Sequence, residues 1–561
     1  MATETTSSGL RGLPGLPPEI VKAVLGFLPN SDIKTLRLAS STYASLAPLR
    51  LSRVFLSANS LNISVFRAVA DHETFRQGVT EIIWDDARLI SGTSRGNGTF
   101  HHQVHDLSIK NDCPDWFRRA RNRNKREYNE RTGQEVAHPR LVARRAQFTS
   151  SFSIDDSWAY YKGLLQDQAQ VLASNADLDA FTHGLDKFPN LRRVTITPLA
   201  HGVLFMPIYQ TPMIHAFPYG FQYPIPRGWP YFEQGNQQPI LALPWAEPLD
   251  EYGFHRAEEY RELWRGYRAA TRILAERDYA LAELVVETRL LHSGVNCYVF
   301  DTPNPDYENL CAILRQPALK KLDYSLFVDG QEDDFGIYKN DLLRDALAAA
   351  TGMEHFSLFT TLEMDEPGVA AQVYDQGPVQ NFVPLASVIP VDAWPRLRHF
   401  ALSGFLVLQS DLIAFLGTLP RSVRTLELNL LMFLDGGNYA SLVTGIRDEL
   451  DWRNRPAQEQ IDVTIATAVK HEMVIGVRVW ANETINDFLY REGPMPFAVE
   501  EGEDPNVIAY GSFGTERDVF DPLRARPYDW AHRQKELGYI DYASKLDFDV
   551  REMDDDDDDY D

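Results

Sequence analysis

The sequence predicts an α/β protein, with a short all-helical unit at the N-terminus followed by an irregular array of helix–turn–strand units carrying long inserts. Three observations predict this. Residues 16–47 read as two or three short helices punctuated by proline. Five later segments share the form apolar-x-x-apolar-x-apolar, the alternation of a half-buried strand. Amphipathic stretches and turns precede several of them, so that helix, turn and strand recur as one unit.

Composition sets the bounds. A chain of 561 residues that is 44% hydrophobic and 24% charged can bury a large core. It contains no run of about 18 uncharged apolar residues, so no membrane-spanning helix and no membrane partner are expected. The opening MATETTSSGLRGLPG lacks the basic-then-apolar layout of a secretory signal. Cys113, Cys297 and Cys311 form no CxxC pair and no disulfide framework. Both features point to a reducing compartment, cytoplasmic and/or nuclear, in which the sequons at Asn62, Asn97 and Asn482 stay unglycosylated. The net charge of −24 is uneven: residues 551–561 hold eight acids against one Arg, whereas residues 118–145 hold ten Lys/Arg against three Glu. So acidic a body is a poor general binder of nucleic acid, because phosphate contacts supply most of that affinity.

The N-terminal unit reads LPPEIVKAVLGFLPNSDIKTLRLASSTYASLA over residues 16–47. Pro17 and Pro18 suit a first helical turn and Glu19 faces its positive end. Ile20, Val24, Phe27 and Leu28 then recur at helical spacing. Pro29 ends that helix, and Asn30, Ser31 and Asp32 offer capping oxygens to the next, which carries Ile33, Leu36, Leu38 and Ala39. Tyr43, Leu46 and Ala47 continue the apolar pattern. About 30 residues cannot cover that many apolar side chains, so the surplus must meet the rest of the chain or a partner helix.

This stretch resembles the F-box through Leu16, Pro17, Glu19, Ile20, Leu25, Leu28, Pro29, Asp32, Ile33, Leu36 and Leu46. Ser40-Ser41 and Tyr43 depart from the family pattern, which has Cys before a basic residue and, later, Trp or Phe. The resemblance implies binding to the Skp-type adaptor and cullin complex of an SCF ubiquitin ligase. It places that contact on Leu16, Pro17, Ile20, Leu28, Ile33, Leu36 and Tyr43.

The alternating segments are Leu191–Ile196, Leu319–Tyr324, Met353–Leu358, Leu397–Leu402 and Val423–Leu428, with Val79–Trp84 as a sixth candidate. A helix–turn–strand unit cannot bury its face alone and must stack on its neighbours. The pattern resembles the degenerate leucine-rich-repeat-like region of fungal F-box proteins, although it lacks an asparagine ladder. A conventional α/β domain would use the same strands and helices. The resulting plan has a disordered 1–12, the F-box at 13–55 and a leucine-rich-repeat-like substrate-binding region at 56–490 with inserts 91–150 and 198–255. A C-terminal cap at 491–550 and a disordered acidic tail at 551–561 complete it. The first insert reads as a loop and a charged helix, the second as a long aromatic loop packed on the surface. Residues 260–288 read as one long helix.

Catalytic and cofactor motifs are absent from the sequence. His101, His102, His105, Asp106, Asp112 and Cys113 have zinc-type side chains in no zinc-binding spacing, and they read as a polar loop. Gly511–Gly514 is not a nucleophile elbow, and neither a Walker loop nor a dinucleotide fingerprint occurs. No cofactor, no metal and no catalytic residue is therefore expected. The run 118–145 reads as a solvated helix, a nuclear-import signal, or a patch for an acidic partner or RNA. In parallel strands, the third residue of each segment would face the open side, giving a ledge of Arg193, Lys321, His355, His399 and Thr425 suited to an acidic or phosphorylated segment of an unknown protein substrate. Taken together, these features make the chain a non-catalytic substrate-recognition subunit. The rivals are an interaction scaffold using its F-box outside a ligase, and a hydrolase with its site in 198–255.

Overall fold

The alternating segments become strands, and the strands pair in the order in which they occur along the chain. The computed structural model describes residues 16–47, 49–90, 113–132, 139–150, 152–229, 245, 258, 261–288, 293–327, 337–361, 382–468, 476–498, 505–509, 514–521 and 525–528. Its strands are β1 (Arg53–Ser57), β2 (Glu81–Asp85), β3 (Arg193–Thr197), β4 (Glu283–Val286), β5 (Val295–Asn296), β6 (Lys321–Phe327), β7 (His355–Thr360), β8 (His399–Ser403), β9 (Leu406–Leu408), β10 (Thr425–Asn429), β11 (Met432–Leu434), β12 (Asp462–Ala468), β13 (Val477–Ala481), β14 (Thr515–Asp518) and β15 (Ala525–Pro527). Among the described residues one sheet runs β1-β2-β3-β4-β6-β7-β8-β10-β12-β13-β14-β15, with β5 added beside β6. Pairing is parallel from β1 to β12 and antiparallel from β12 to β15. The short β9 and β11 pair with each other.

The strand starts repeat one local geometry. In five units an apolar residue closes a turn two residues before the strand: the amides of Leu191, Leu319, Met353, Leu397 and Val423 donate to Phe188, Gln316, Ala350, Trp394 and Pro420. One carbonyl then accepts from two successive amides of the next unit. Ser52, Thr80, Arg192, Ala282, Lys320, Glu354 and Arg398 each do this. The parallel register follows from that shared anchor, and it aligns Arg53, Glu81, Arg193, Glu283, Lys321, His355, His399, Thr425 and Asp462 in one row.

Helices 60–71, 176–187, 265–276, 305–314, 342–348, 409–417 and 439–449 lie between successive strands. Asn59, Asn304 and Asn438 cap three of them by accepting first-turn amides. The inward strand residues, among them Val194, Ile196, Leu322, Tyr324, Phe356, Leu358, Phe400, Leu402, Leu426 and Leu428, join one continuous core with the helices. No helix of the described residues is long and apolar enough to cross a membrane.

The N-terminal helices Pro18–Gly26, Asn30–Ala39 and Ser41–Leu46 have a separate small core of Val21, Leu25, Ile33 and Ala47, flanked by Leu28, Leu36 and Leu49. Arg37 ties it together by donating to the carbonyls of Ala44 (2.6 Å) and Ala47 (2.9 Å).

Three expectations are corrected. The helix expected over 260–288 ends at Glu276, and Glu283–Val286 is β4. Asp278 takes a positive φ of 48° that breaks the helix, and Leu281 to Val286 then continue as apolar strand text. The described part of the aromatic insert is not a surface loop: Phe221, Tyr223 and Trp229 are buried. The charged helix Asp115–Thr132 is not solvated all round. Arg121, Asn124 and Arg131 are buried, with Arg121 donating to Gln222 (3.1 Å) and Asn124 to the Tyr223 carbonyl (2.7 Å). That inward polar face leaves only part of the basic run free for an import receptor or an acidic partner. The expected C-terminal cap has few described residues, and the acidic tail and 1–12 lie outside them.

Candidate functional site

The predicted ledge is a real alignment with a different electrostatic character. Arg193, Lys321, His355, His399 and Thr425 open their strands in one register row and are half-buried. The row also contains Glu81 and Glu283, and Asp323 lies two residues along β6 on the same face. Arg53 pairs with Glu81 at 2.7 Å, and Arg193 pairs with Glu283. Asp323 meets both Lys321 (2.8 Å) and His355 (2.7 Å). The ledge is therefore a charge-compensated ladder, not an open cationic surface. Glu81 occupies the third position of Val79–Trp84, so the same count extended to the sixth segment would have found the first of these carboxylates. Glu283 was hidden in the expected long helix.

The centre of the ladder is a histidine pair. The rings of His355 and His399 stack at 3.9 Å with only 5° between their planes. His399 Nδ1 lies 2.7 Å from the Thr425 hydroxyl, and His355 Nε2 lies 3.0 Å from Lys321 Nζ. Burial, reinforced by the neighbouring His355, pulls the His399 imidazole down to about 3. Asp323 is held below the usual carboxylate range: burial opposes ionisation, but His355 and Lys321 outweigh it. Burial raises Glu427, which faces the same group from β10. The arrangement suits a polar ligand that exchanges hydrogen bonds with paired charges.

A pH dependence follows. His399 is neutral in the fold, whereas an unfolded histidine binds a proton below about pH 6.5. The unfolded state thus takes up more protons between roughly pH 6.5 and 3, and stability falls as the solution is acidified through that window. The expected loss at pH 5 from this one group is on the order of 2 kcal/mol. In His399→Asn the loss of unfolding free energy between pH 7 and pH 5 should shrink by that amount, read from denaturant titrations at the two pH values. An unchanged loss would show that the ring is protonated in the fold.

A second cluster sits at the other end of the strands. Asp85 and Asp86 close β2 and are buried, and burial raises both carboxyls. Asp86 accepts from Trp229 Nε1 (2.7 Å) and from the Gly266 amide (3.0 Å to each oxygen), beside buried Arg88. Asp85 accepts from the Ala87 amide (3.0 Å), and its other oxygen lies 3.7 Å from His201 Nε2. His201 Nδ1 in turn lies 2.9 Å from the Tyr223 hydroxyl. Burial, with Arg227 nearby, pulls His201 down to about 3. Gly266 is obligatory here, because a Cβ would come within 2.6 Å of the Asp86 carboxyl. These groups hold loops to the sheet and offer no open face for chemistry.

Of the expected adaptor residues, Leu16, Pro17 and Ile20 are exposed, whereas Leu28, Leu36 and Tyr43 are half-buried. Ile33, only 1% exposed, is spent on the unit's own core and is unavailable to a partner. Val24, Phe27, Leu38 and Leu46 are also exposed, with Phe27 and Leu38 at 90% each. Among the described residues no group of three or more His, Cys, Asp or Glu side chains could hold a metal. Of the weighed zinc ligands only Cys113 is described, and it is buried. No family model matches the chain, and no curated protein matches it.

Proposed function

We propose that the chain is the substrate-recognition subunit of an SCF-type ubiquitin ligase. The N-terminal unit docks on a Skp-type adaptor, and the leucine-rich-repeat-like α/β region holds a protein substrate. The observation that carries this reading is the apolar surface left on a helical unit that already has a core. Leu16, Ile20, Val24 and Phe27 are presented at helical spacing, a surface that suits packing against a partner helix. The register row of the sheet supports the second half, since units that stack through a common backbone anchor build one extended binding face. Ubiquitin transfer then belongs to other subunits, and this chain contributes proximity and orientation in the cytosol or nucleus.

The test is co-purification of the adaptor and cullin with the full chain. Ile20→Asp with Phe27→Asp should reduce recovery of both at least tenfold while circular dichroism stays unchanged, because neither side chain is in the small core. Equal recovery would remove the adaptor reading. Adaptor capture without cullin would favour a scaffold working outside a ligase.

A further inference from the structure

The sheet curves enough for segments that follow two of its distant strands to pack together. β3 and β14 are eight strand steps apart in the sheet order, roughly 38 Å at about 4.8 Å per step. Yet Phe520, just past β14, packs in one apolar cluster with Leu199, Val203, Leu204 and Met206, which follow β3. Tyr128 of the charged helix 115–132 completes the cluster. Arg227, which donates to the Gly202 carbonyl at 2.8 Å, holds its guanidinium 5.9 Å from the Phe520 ring.

Charged groups fasten this seam. Arg131 donates to both oxygens of Asp518 (2.9 and 2.8 Å), and both side chains are at most 1% exposed. Glu127 holds Arg131 from one helical turn away (3.0 Å), and Arg131 also lies over the Phe520 ring at 4.9 Å. Arg144, from the second insert helix Pro139–Thr149, pairs with Asp521 at 2.7 Å. The two partners in the principal pair are 387 residues apart in sequence. The segment they hold is slight: β14 has four residues and β15 three, at the edge of the sheet. A buried ion pair supports a fold only while both members are present, because removing one strands the other charge away from water. A seam of this kind is either made or broken.

We propose that residues 514–521 are a buckle. Docked on the insert helices, they hold the sheet in its curved form. Released, they let β14 and β15 leave without unfolding the strands of the central ladder. The basic insert then serves as the buckle's receiver. This inference is independent of the ligase reading.

Hydrogen exchange of the full-length protein tests it. Asp518→Ala should speed amide exchange at least tenfold in both 115–132 and 514–521, and leave β6, β7, β8 and β10 unchanged. Asp521→Asn, at a pair whose arginine is 18% exposed, is the gentler variant should Asp518→Ala not fold, with the same pattern at about threefold or more. Asp186→Asn, which breaks the surface pair with Arg277, should alter neither segment. Acceleration on one side of the seam only, no acceleration, or equal acceleration across β6 to β10 would each overturn the buckle.

Discussion

Asp86→Ala should unfold the protein at markedly lower denaturant, with a loss of about 3–5 kcal/mol, the range for removing one partner from a buried charged network. The carboxyl accepts from Trp229 and from the Gly266 amide, and it lies beside the buried guanidinium of Arg88. Alanine leaves both donors without that acceptor and Arg88 without the neighbouring negative charge, in a place that water does not reach. It also releases the loop at Trp229 and the start of helix 265–276 from the end of β2. Asp86→Asn keeps one carbonyl oxygen and should lose about half as much. Urea titrations followed by fluorescence measure both, and a loss below about 1 kcal/mol for Asp86→Ala would show that the network is not held through this carboxyl.

Trp394→Ala should cost a similar amount, about 3–5 kcal/mol, by a different route: it empties a large apolar volume. The ring is fully buried, 4.7 Å from Phe356, which stacks towards Phe400, which in turn meets Phe415. Its indole N–H donates to the Leu347 carbonyl (3.3 Å), an acceptor that would lose its partner. The aromatic line crosses three successive units, so the place where the damage appears is informative. In a stack of units held by nearest neighbours, exchange should rise first in β7, β8 and β10 and leave β1, β2 and β3 protected. Uniform loss of protection would identify one cooperative domain instead.

The parts of the fold legible in the sequence were those in which two signals coincide. Leu191, Leu319, Leu397 and Val423 each follow a turn with a nearby proline and open an alternation, and each of those strands begins two residues later. Where the signals conflict, the sequence misleads. Residues 279–286 continue the helical spacing of 265–276 well enough to hide β4, and the break rests on one backbone angle at Asp278. Charge hides burial in the same way. The inward face of helix 115–132 carries Arg121, Asn124 and Arg131, whose partners outside the helix are 31 to 387 residues away, so no local pattern marks them as interior. The ladder was legible as a position and illegible as a charge, because compensation comes from neighbouring strands. Its alignment follows from alternation, but Glu283 on a strand the sequence concealed decides its sign.

The two rims of the sheet differ in how much chain they carry. On the side where strands begin, helix ends and strand starts are joined by five to seven residues at β3, β4, β6, β7 and β10. On the side where strands end, the chain runs from Thr197 to Glu262, and from Phe327 to Leu342, before the helix that leads into the next strand of the sheet. The shared-carbonyl anchors sit on the short side, where one added residue would slip the row and turn every following side chain to the wrong face. Length is thus rigidly rationed at one rim and nearly free at the other, since extending an already long loop costs little. Sequence change in this architecture has a preferred outlet: new segments can be grafted at the strand ends, away from the buried contacts of Asp86, Tyr223 and Trp229, while the register row stays in place, and tags or fused domains inserted there should be the best tolerated.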